Sequence, residues 1–254
     1  MFRYRLDVAW EYLFKLLPYL SVTLFYMGGA LTIGIVFGAF MAMMKLGKNR
    51  PLKYFAIGYT AVMRSLPPII LIFLVYHGVP LAVRRMFQVN LSGMNTVYFV
   101  ILALGLSSVA TLSEIMKSAY LSVSGGQYEA AVSNGFTPFQ AFRRIMFPQA
   151  LRVSIPNLSS ALIILMKEGS LGYTIGLIDI MGRADLLNST SYGNDIYEIF
   201  FTLAAIYWLA SILIDGGCHF IENRLSLERK IELNEIKKAG MIAAAEQGGI
   251  VRGS

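Results

Sequence analysis

Long uncharged apolar runs alternate along this chain with short charged stretches. The run from Leu16 to Met44 holds no charged residue, and a basic stretch from Lys45 to Lys53 closes it. A second apolar region, 54–83, is interrupted by Arg64 and by the tandem Pro67-Pro68, which are expected to kink or break its helix. Further apolar runs follow at 92–117, 153–178 and 198–221, and the stretch from Asp179 to Glu198 between the last two is expected to be a polar loop. Together with 16–45 these runs are long enough for helices that cross a hydrocarbon layer of about 30 Å. The pattern predicts an all-α integral membrane protein with about five transmembrane helices. The first run is too long for the apolar core of a secretory leader and no small-x-small cleavage site follows it, so it is read as the first span. Within it, Gly34-x-x-x-Gly38 lets a neighbouring helix approach closely; a glycine-tolerant, lipid-facing helix is the alternative. Residues 1–15 mix charge and aromatics (Arg3, Tyr4, Arg5, Asp7, Trp10), as an interfacial amphipathic entry does. Residues 223–254 form a charged tail with a marginal helical pattern, and its last dozen residues are expected to fray.

Between the third and fourth runs, the polar segment 122–152 carries two helix-start signals. Ser124-Gly-Gly-Gln127 has the form of a capping box, predicting a short helix from about Gly125. Asn134-Gly135 should stop it, because glycine readily takes the left-handed conformation that closes a helix. Thr137-Pro-Phe-Gln140 is a second capping box with Pro138 at the first helical position. The second helix is predicted to run from Pro138 to about Phe147 and to end at Pro148. It carries Phe139, Phe142 and Ile145 on one side and Arg143 and Arg144 on another. An ordinary pair of membrane-surface helices has the same local pattern.

Composition supports the membrane class, with 56% hydrophobic and 15% charged residues, where a soluble domain has about 25% charged. The net charge is +7. The basic residues lie between apolar spans rather than on one polar face, which argues against nucleic-acid binding. They concentrate in 45–53, in 117–152 and in the tail, which predicts that these face the cytoplasm and that the N-terminus is outside. The single cysteine, Cys218, excludes an internal disulfide. His77 and His219 have no ligand-like spacing and are read as structural or interfacial. No phosphate-binding Gly-x4-Gly-Lys-Ser/Thr, no Gly-x-Ser-x-Gly and no His-Glu-x-x-His motif occurs in the sequence, so an enzyme is not expected. If ATP drives this protein, another chain binds the nucleotide. Charges within the spans are costly and usually face a partner or a water-filled path. Arg64, Glu114, Lys167 and Glu168, with the hydroxyl of Ser170, are therefore candidates for a polar substrate path. The competing reading is structural, with these charges neutralising neighbouring helices. Unwound backbone after Arg64 could add free polar groups.

The segment Glu129-Ala-Ala, three residues, Gly135, nine residues, Ile145, one residue, Phe147-Pro148 closely resembles the EAA loop of permease subunits of ATP-binding-cassette importers, with Phe147 where that family usually has Leu. Ser122-Val-Ser-Gly-Gly-Gln-Tyr-Glu-Ala-Ala131, Arg64-Ser-Leu-Pro67 and Lys167-Glu-Gly-Ser-Leu171 are similar to segments of the polar amino-acid permeases. That resemblance spans roughly 20–222. It implies the type I ABC importer permease fold, with a transmembrane permease domain over 16–222 and a cytoplasmic coupling-helix loop. It implies coupling to an ATPase through Glu129, Ala130, Ala131, Gly135, Arg143 and Arg144. It further implies two ATP-binding subunits, a second permease subunit (identical or different), an extracytoplasmic substrate-binding protein, and a place in a bacterial inner membrane. No cofactor is expected on this chain; ATP and magnesium would sit on the partner ATPase. Two departures fall near the expected path: Ala110-Thr-Leu-Ser-Glu114-Ile-Met-Lys117 replaces the usual Ala-Tyr-x-Ala-Glu-x-x-Arg, and Gly169 stands where Thr is usual. Substrate identity within the amino acids therefore stays open. The rival is a self-sufficient secondary carrier or channel using Glu114, Lys167 and Glu168 as an ion relay, which needs no ATPase.

Overall fold

The computed structural model describes residues 5–250 except Ser92 and Ser124, and side chains as far as Leu225. Arg3, Tyr4, the proposed cap Ser124 and the side chains of the tail beyond Leu225 lie outside the described residues. All regular structure among the described residues is helical. Five helical runs are long and apolar enough to cross a membrane: Leu6–Leu46, Pro68–Phe87, Thr96–Ser122, Pro138–Ile175 and Ile196–Leu225.

α1 (Leu6–Leu16) continues through one 3₁₀ turn at Leu17–Tyr19 into α2 (Leu20–Leu46). α1 buries Ala9, Tyr12 and Leu16. The second apolar region is not one span but two helices, α3 (Arg50–Ser65) and α4 (Pro68–Phe87). Pro67 and Pro68 lack the N–H groups that would close on the carbonyls of Met63 and Arg64, so the helix ends and restarts. The basic turn is also shorter than its charges suggest. Lys45 belongs to α2, and Asn49 caps α3 by accepting from the Leu52 N–H. α5 (Thr96–Ser122) is the most deeply buried span.

α6 (Gly125–Ser133) ends at Gly135, whose φ is +85°. α7 (Pro138–Ala141) opens with the reciprocal Thr137–Gln140 capping box. Contrary to the sequence expectation, Pro148 does not end this helix. A π turn at Phe142–Met146 leads directly into α8 (Phe147–Gly169). The Phe147 N–H reaches the carbonyl of Phe142, five residues back. This widened turn gives the Pro148 ring room and absorbs the mismatch that its missing N–H creates.

A 3₁₀ segment at Ser170–Ile175 follows, closed by Gly176. The stretch 179–198, expected to be a polar loop, contains α9 (Ile180–Thr190). Asp179 caps α9 by accepting from the Gly182 N–H at 2.9 Å. Its Ile180, Ala184 and Leu187, spaced at i, i+4 and i+7, pack with Tyr12 and Leu16 of α1. They also meet Ile199, Leu203 and Ile206 of α10 (Ile196–Ile250). Helical backbone continues to Ile250, through residues where fraying was expected; Ala, Lys and Glu in the tail are good helix formers.

α2 and α5 pack backbone to backbone. A Cβ at Gly34 would lie 2.7 Å from Ser108 Cβ, and one at Gly38 would lie 3.3 Å from Ser113 N. The two glycines thus serve close approach, which matters where no water drives helices together and packing itself must hold them. Outside this centre the surface is apolar. Leu24, Phe25, Val36, Phe37 and Phe40 of α2 are all exposed, as lipid-facing side chains are.

Candidate functional site

A cavity of about 320 Å³ lies between α3, α5 and α8, with Leu31 of α2 on its wall. Its polar lining is Arg64, Ser107, Ser108, Thr111, Glu114 and Glu168, set among Leu112, Ile115, Leu158, Leu162 and Leu165. Three of the five residues expected on a substrate path thus meet in one space. Lys167 and Ser170 do not line it. Lys167 is exposed, one helical position away from Glu168 and so on a different face. The Ser170 hydroxyl turns back to the Lys167 carbonyl at 2.6 Å.

The charged residues differ in how they are held. Glu114 is engaged on both oxygens: Lys45 Nζ donates to Oε1 at 2.7 Å and Lys117 Nζ lies 3.5 Å from Oε2. The Lys45 side chain is fully buried and also donates to the Ser113 hydroxyl at 2.6 Å. Among the described residues, neither Arg64 nor Glu168 is in an ion pair. Arg64 stands at the last turn of α3, where the tandem proline leaves carbonyls without helical donors. The hydroxyls of Ser107, Ser108 and Thr111 were not among the sequence candidates. Their signal was legible, since Ser107, Thr111 and Glu114 recur at i, i+4 and i+7 on one helical face.

A second site lies on the polar segment between α5 and α8. Glu129 and Ala130 are exposed, Ala131 is buried, and Gly135 forms the tight turn. The turn is closed by the Phe136 N–H on the Ala131 carbonyl at 3.1 Å and by the Asn134 side-chain amide on the Ala130 carbonyl at 2.8 Å. Arg143 and Arg144 are exposed beside Phe139, Phe142 and Phe147, which are 69%, 40% and 49% exposed. Large exposed aromatics mixed with arginine are typical of the centre of a protein interface. Gln149 ties the two halves by donating to the Gln127 side chain and to the Ile145 carbonyl. Arg152 reaches the carbonyl of Leu225 on α10.

At the opposite end of the spans, Arg5 pairs with Asp195 and Glu198, and the Tyr12 hydroxyl donates to Asp195 at 2.7 Å. His77 packs on Phe73 and Tyr76, whereas exposed His219 lies beside Asp215 and Glu222. Cys218 is free and buried. No cluster of three metal-ligating side chains occurs among the described residues.

Residues 34–227 match the family model described as the binding-protein-dependent transport system inner membrane component. Among curated proteins, the chain is 31% identical to the L-cystine transport system permease protein TcyL of Bacillus subtilis (strain 168) over 220 residues, covering 87% of this chain and 91% of that one. It is 35% identical to the nopaline transport system permease protein NocM of Agrobacterium fabrum (strain C58) over 202 residues, covering 79% and 83% respectively. Among solved structures, a chain from the crystal structure of an amino acid ABC transporter with histidines superposes with a TM-score of 0.74 at 29% identity, covering 88% of this chain and all of that one.

Proposed function

The chain belongs to the family of inner membrane components of binding-protein-dependent transport systems, and from that premise we propose that it forms the membrane path of an ATP-driven importer of amino acids. Such a component does not itself catalyse a reaction, so nucleotide and magnesium belong on a partner ATPase. The cystine and nopaline permeases among its relatives, and the amino acid transporter among its structural neighbours, support the substrate class.

One observation carries the mechanism. A single uninterrupted helical run, Pro138–Ile175, joins the exposed Phe139, Arg143 and Arg144 to the cavity wall at Leu158, Leu165 and Glu168. Movement imposed on the loop is thereby delivered to the cavity along continuous helix. In this reading Glu129, Ala130 and Ala131 contact the ATPase, Gly135 supplies the turn, and Arg143 and Arg144 complete the docking face. Closure of two ATPase subunits on two permease chains drives the cavity between inward-facing and outward-facing states. Nucleotide and loaded binding protein must favour different states for this to work. The loop and tail face the cytoplasm and the N-terminus lies outside, as the lysine and arginine distribution supports. In the cavity, the Arg64 guanidinium suits an α-carboxylate, Glu168 suits an ammonium group, and the α5 hydroxyls add hydrogen bonds. Lys167 and Ser170, off this cavity, are assigned to a later part of the same path.

The test is uptake of radiolabelled amino acids into vesicles holding this chain with its ATPase and binding protein. Uptake is expected to require ATP and the binding protein, and Glu129→Lys is expected to abolish it while leaving assembly intact. Uptake by this chain alone under an ion gradient would instead establish a secondary carrier. Normal uptake with normal stimulated ATPase in Glu129→Lys would remove the loop from the coupling mechanism.

A further inference from the structure

Lys45 is an unusual residue to find at the α2–α5 contact. Its side chain is fully buried, it lies about two helical turns beyond the close-packing Gly38, and it is not part of the cavity wall. A buried ammonium group persists only when it is paired and hydrogen-bonded. Both conditions are met here, by Glu114 Oε1 at 2.7 Å and the Ser113 hydroxyl at 2.6 Å. Glu114 itself does line the cavity. The lysine therefore acts on the cavity from behind its wall, through Glu114.

We infer that Lys45 sets the charge preference of the cavity by cancelling Glu114, leaving Arg64 and Glu168 as the charges an entering amino acid meets. This inference rests on the reading of the cavity as part of the amino-acid path. Lys117 also approaches Glu114, but at 3.5 Å and with its side chain 32% exposed. Solvent and salt screen such a charge more than they screen the buried Lys45. With Glu114 cancelled, one free cation and one free carboxylate suit a zwitterion without net charge. An uncancelled Glu114 would add attraction for a cationic amino acid; an uncancelled Lys45 would add repulsion. Lys45 is thus a positioning residue and a determinant of specificity, not a ligand contact.

The discriminating measurement is equilibrium binding of radiolabelled L-arginine and L-glutamine to the permease–ATPase complex in nanodiscs, without the binding protein, so that the permease's own preference is read. Lys45→Met is expected to raise the arginine-to-glutamine affinity ratio by about tenfold, and Glu114→Gln to lower it by a similar factor. The double variant Lys45→Met/Glu114→Gln, with no charge to leave unpaired, is expected to return the ratio to the wild-type value, and Lys45→Arg to keep it there. A purely structural ion pair predicts shifts in the same direction, or none, for the two single variants, and either result overturns the inference. If a single variant does not assemble, the double variant decides: an altered ratio there overturns the inference. Binding of neither amino acid by the wild-type complex would instead end the cavity reading itself.

Discussion

Gly169 shows what one missing Cβ does. A Cβ built there would clash with the Tyr26 ring at its Cε2, and Tyr26 is fully buried with its hydroxyl donating to the Met166 carbonyl at 3.2 Å. The tyrosine occupies the room that a larger residue at 169 would need, which explains the departure from the threonine usual in similar permeases. Gly169→Ala should therefore destabilise by about 1–3 kcal/mol through overpacking, and should cost less when made in a Tyr26→Ala chain, where the ring is gone. Thermal unfolding of the single and double variants in detergent checks this; a neutral Gly169→Ala would show that the ring moves freely. Asp179 is the second informative residue. It lies between the fourth and fifth spans, and burial pushes its carboxyl up to about 6, against the N–H donors of the α9 cap and the Tyr26 hydroxyl, which pull it down. The folded state thus holds the proton more tightly than the unfolded chain. Its stabilising contribution is complete below about pH 4 and is lost as the pH rises through about 6. The slope integrates to a loss on the order of 3 kcal/mol. Asp179→Asn, which can still accept from Gly182, should remove this slope from a plot of unfolding temperature against pH. An unchanged slope would assign the titration elsewhere.

Among the elements, Thr137 gives the clearest local test. Its hydroxyl accepts from the Gln140 N–H at 3.3 Å while the Gln140 side chain accepts from the Thr137 N–H at 3.0 Å. Thr137→Ala should cost about 1 kcal/mol and speed amide hydrogen exchange at Gln140 and Ala141; exchange that does not change would show that the tie through Gln149 holds the helix start unaided. This cap, the Gly135 turn and the start of α6 were legible because each is decided by residues a few positions apart. The continuation through Pro148 was not. A proline inside a helical pattern is ordinarily a stop, and only the π turn at Phe142–Met146 just before it turns it into a passage. α9 could have been read from Ile180, Ala184 and Leu187, but Arg183, Asp185, Asn188, Ser189 and Thr190 within it and the flanking Asp179 and Asn194 disguised it as a loop.

For the whole molecule, the sequence yields the class and the number of spans because lipid imposes long uncharged runs on any chain that crosses it. It does not yield which charges meet. Arg64, Glu114 and Glu168 lie far apart along the chain, and only the packing of α3, α5 and α8 brings them to one cavity. The same packing separates Lys167 from them, although it is adjacent to Glu168 in sequence. Lys45 was equally hidden, since next to Lys48 and Arg50 it looks like one more basic residue of a turn. Its pairing with Glu114 depends on the close approach of α2 and α5 at Gly34 and Gly38. The π turn at Phe142–Met146 has a consequence of this scale. It fixes the angular phase between the exposed aromatic and arginine face of the loop and the wall of the cavity, since one residue more or less in a helix rotates everything beyond it by roughly 100°. A loop transplanted from a related permease would keep that face and the cavity wall in the same relative direction only if it brought its own π turn with it. Length variation in this segment is therefore a change of direction rather than of reach.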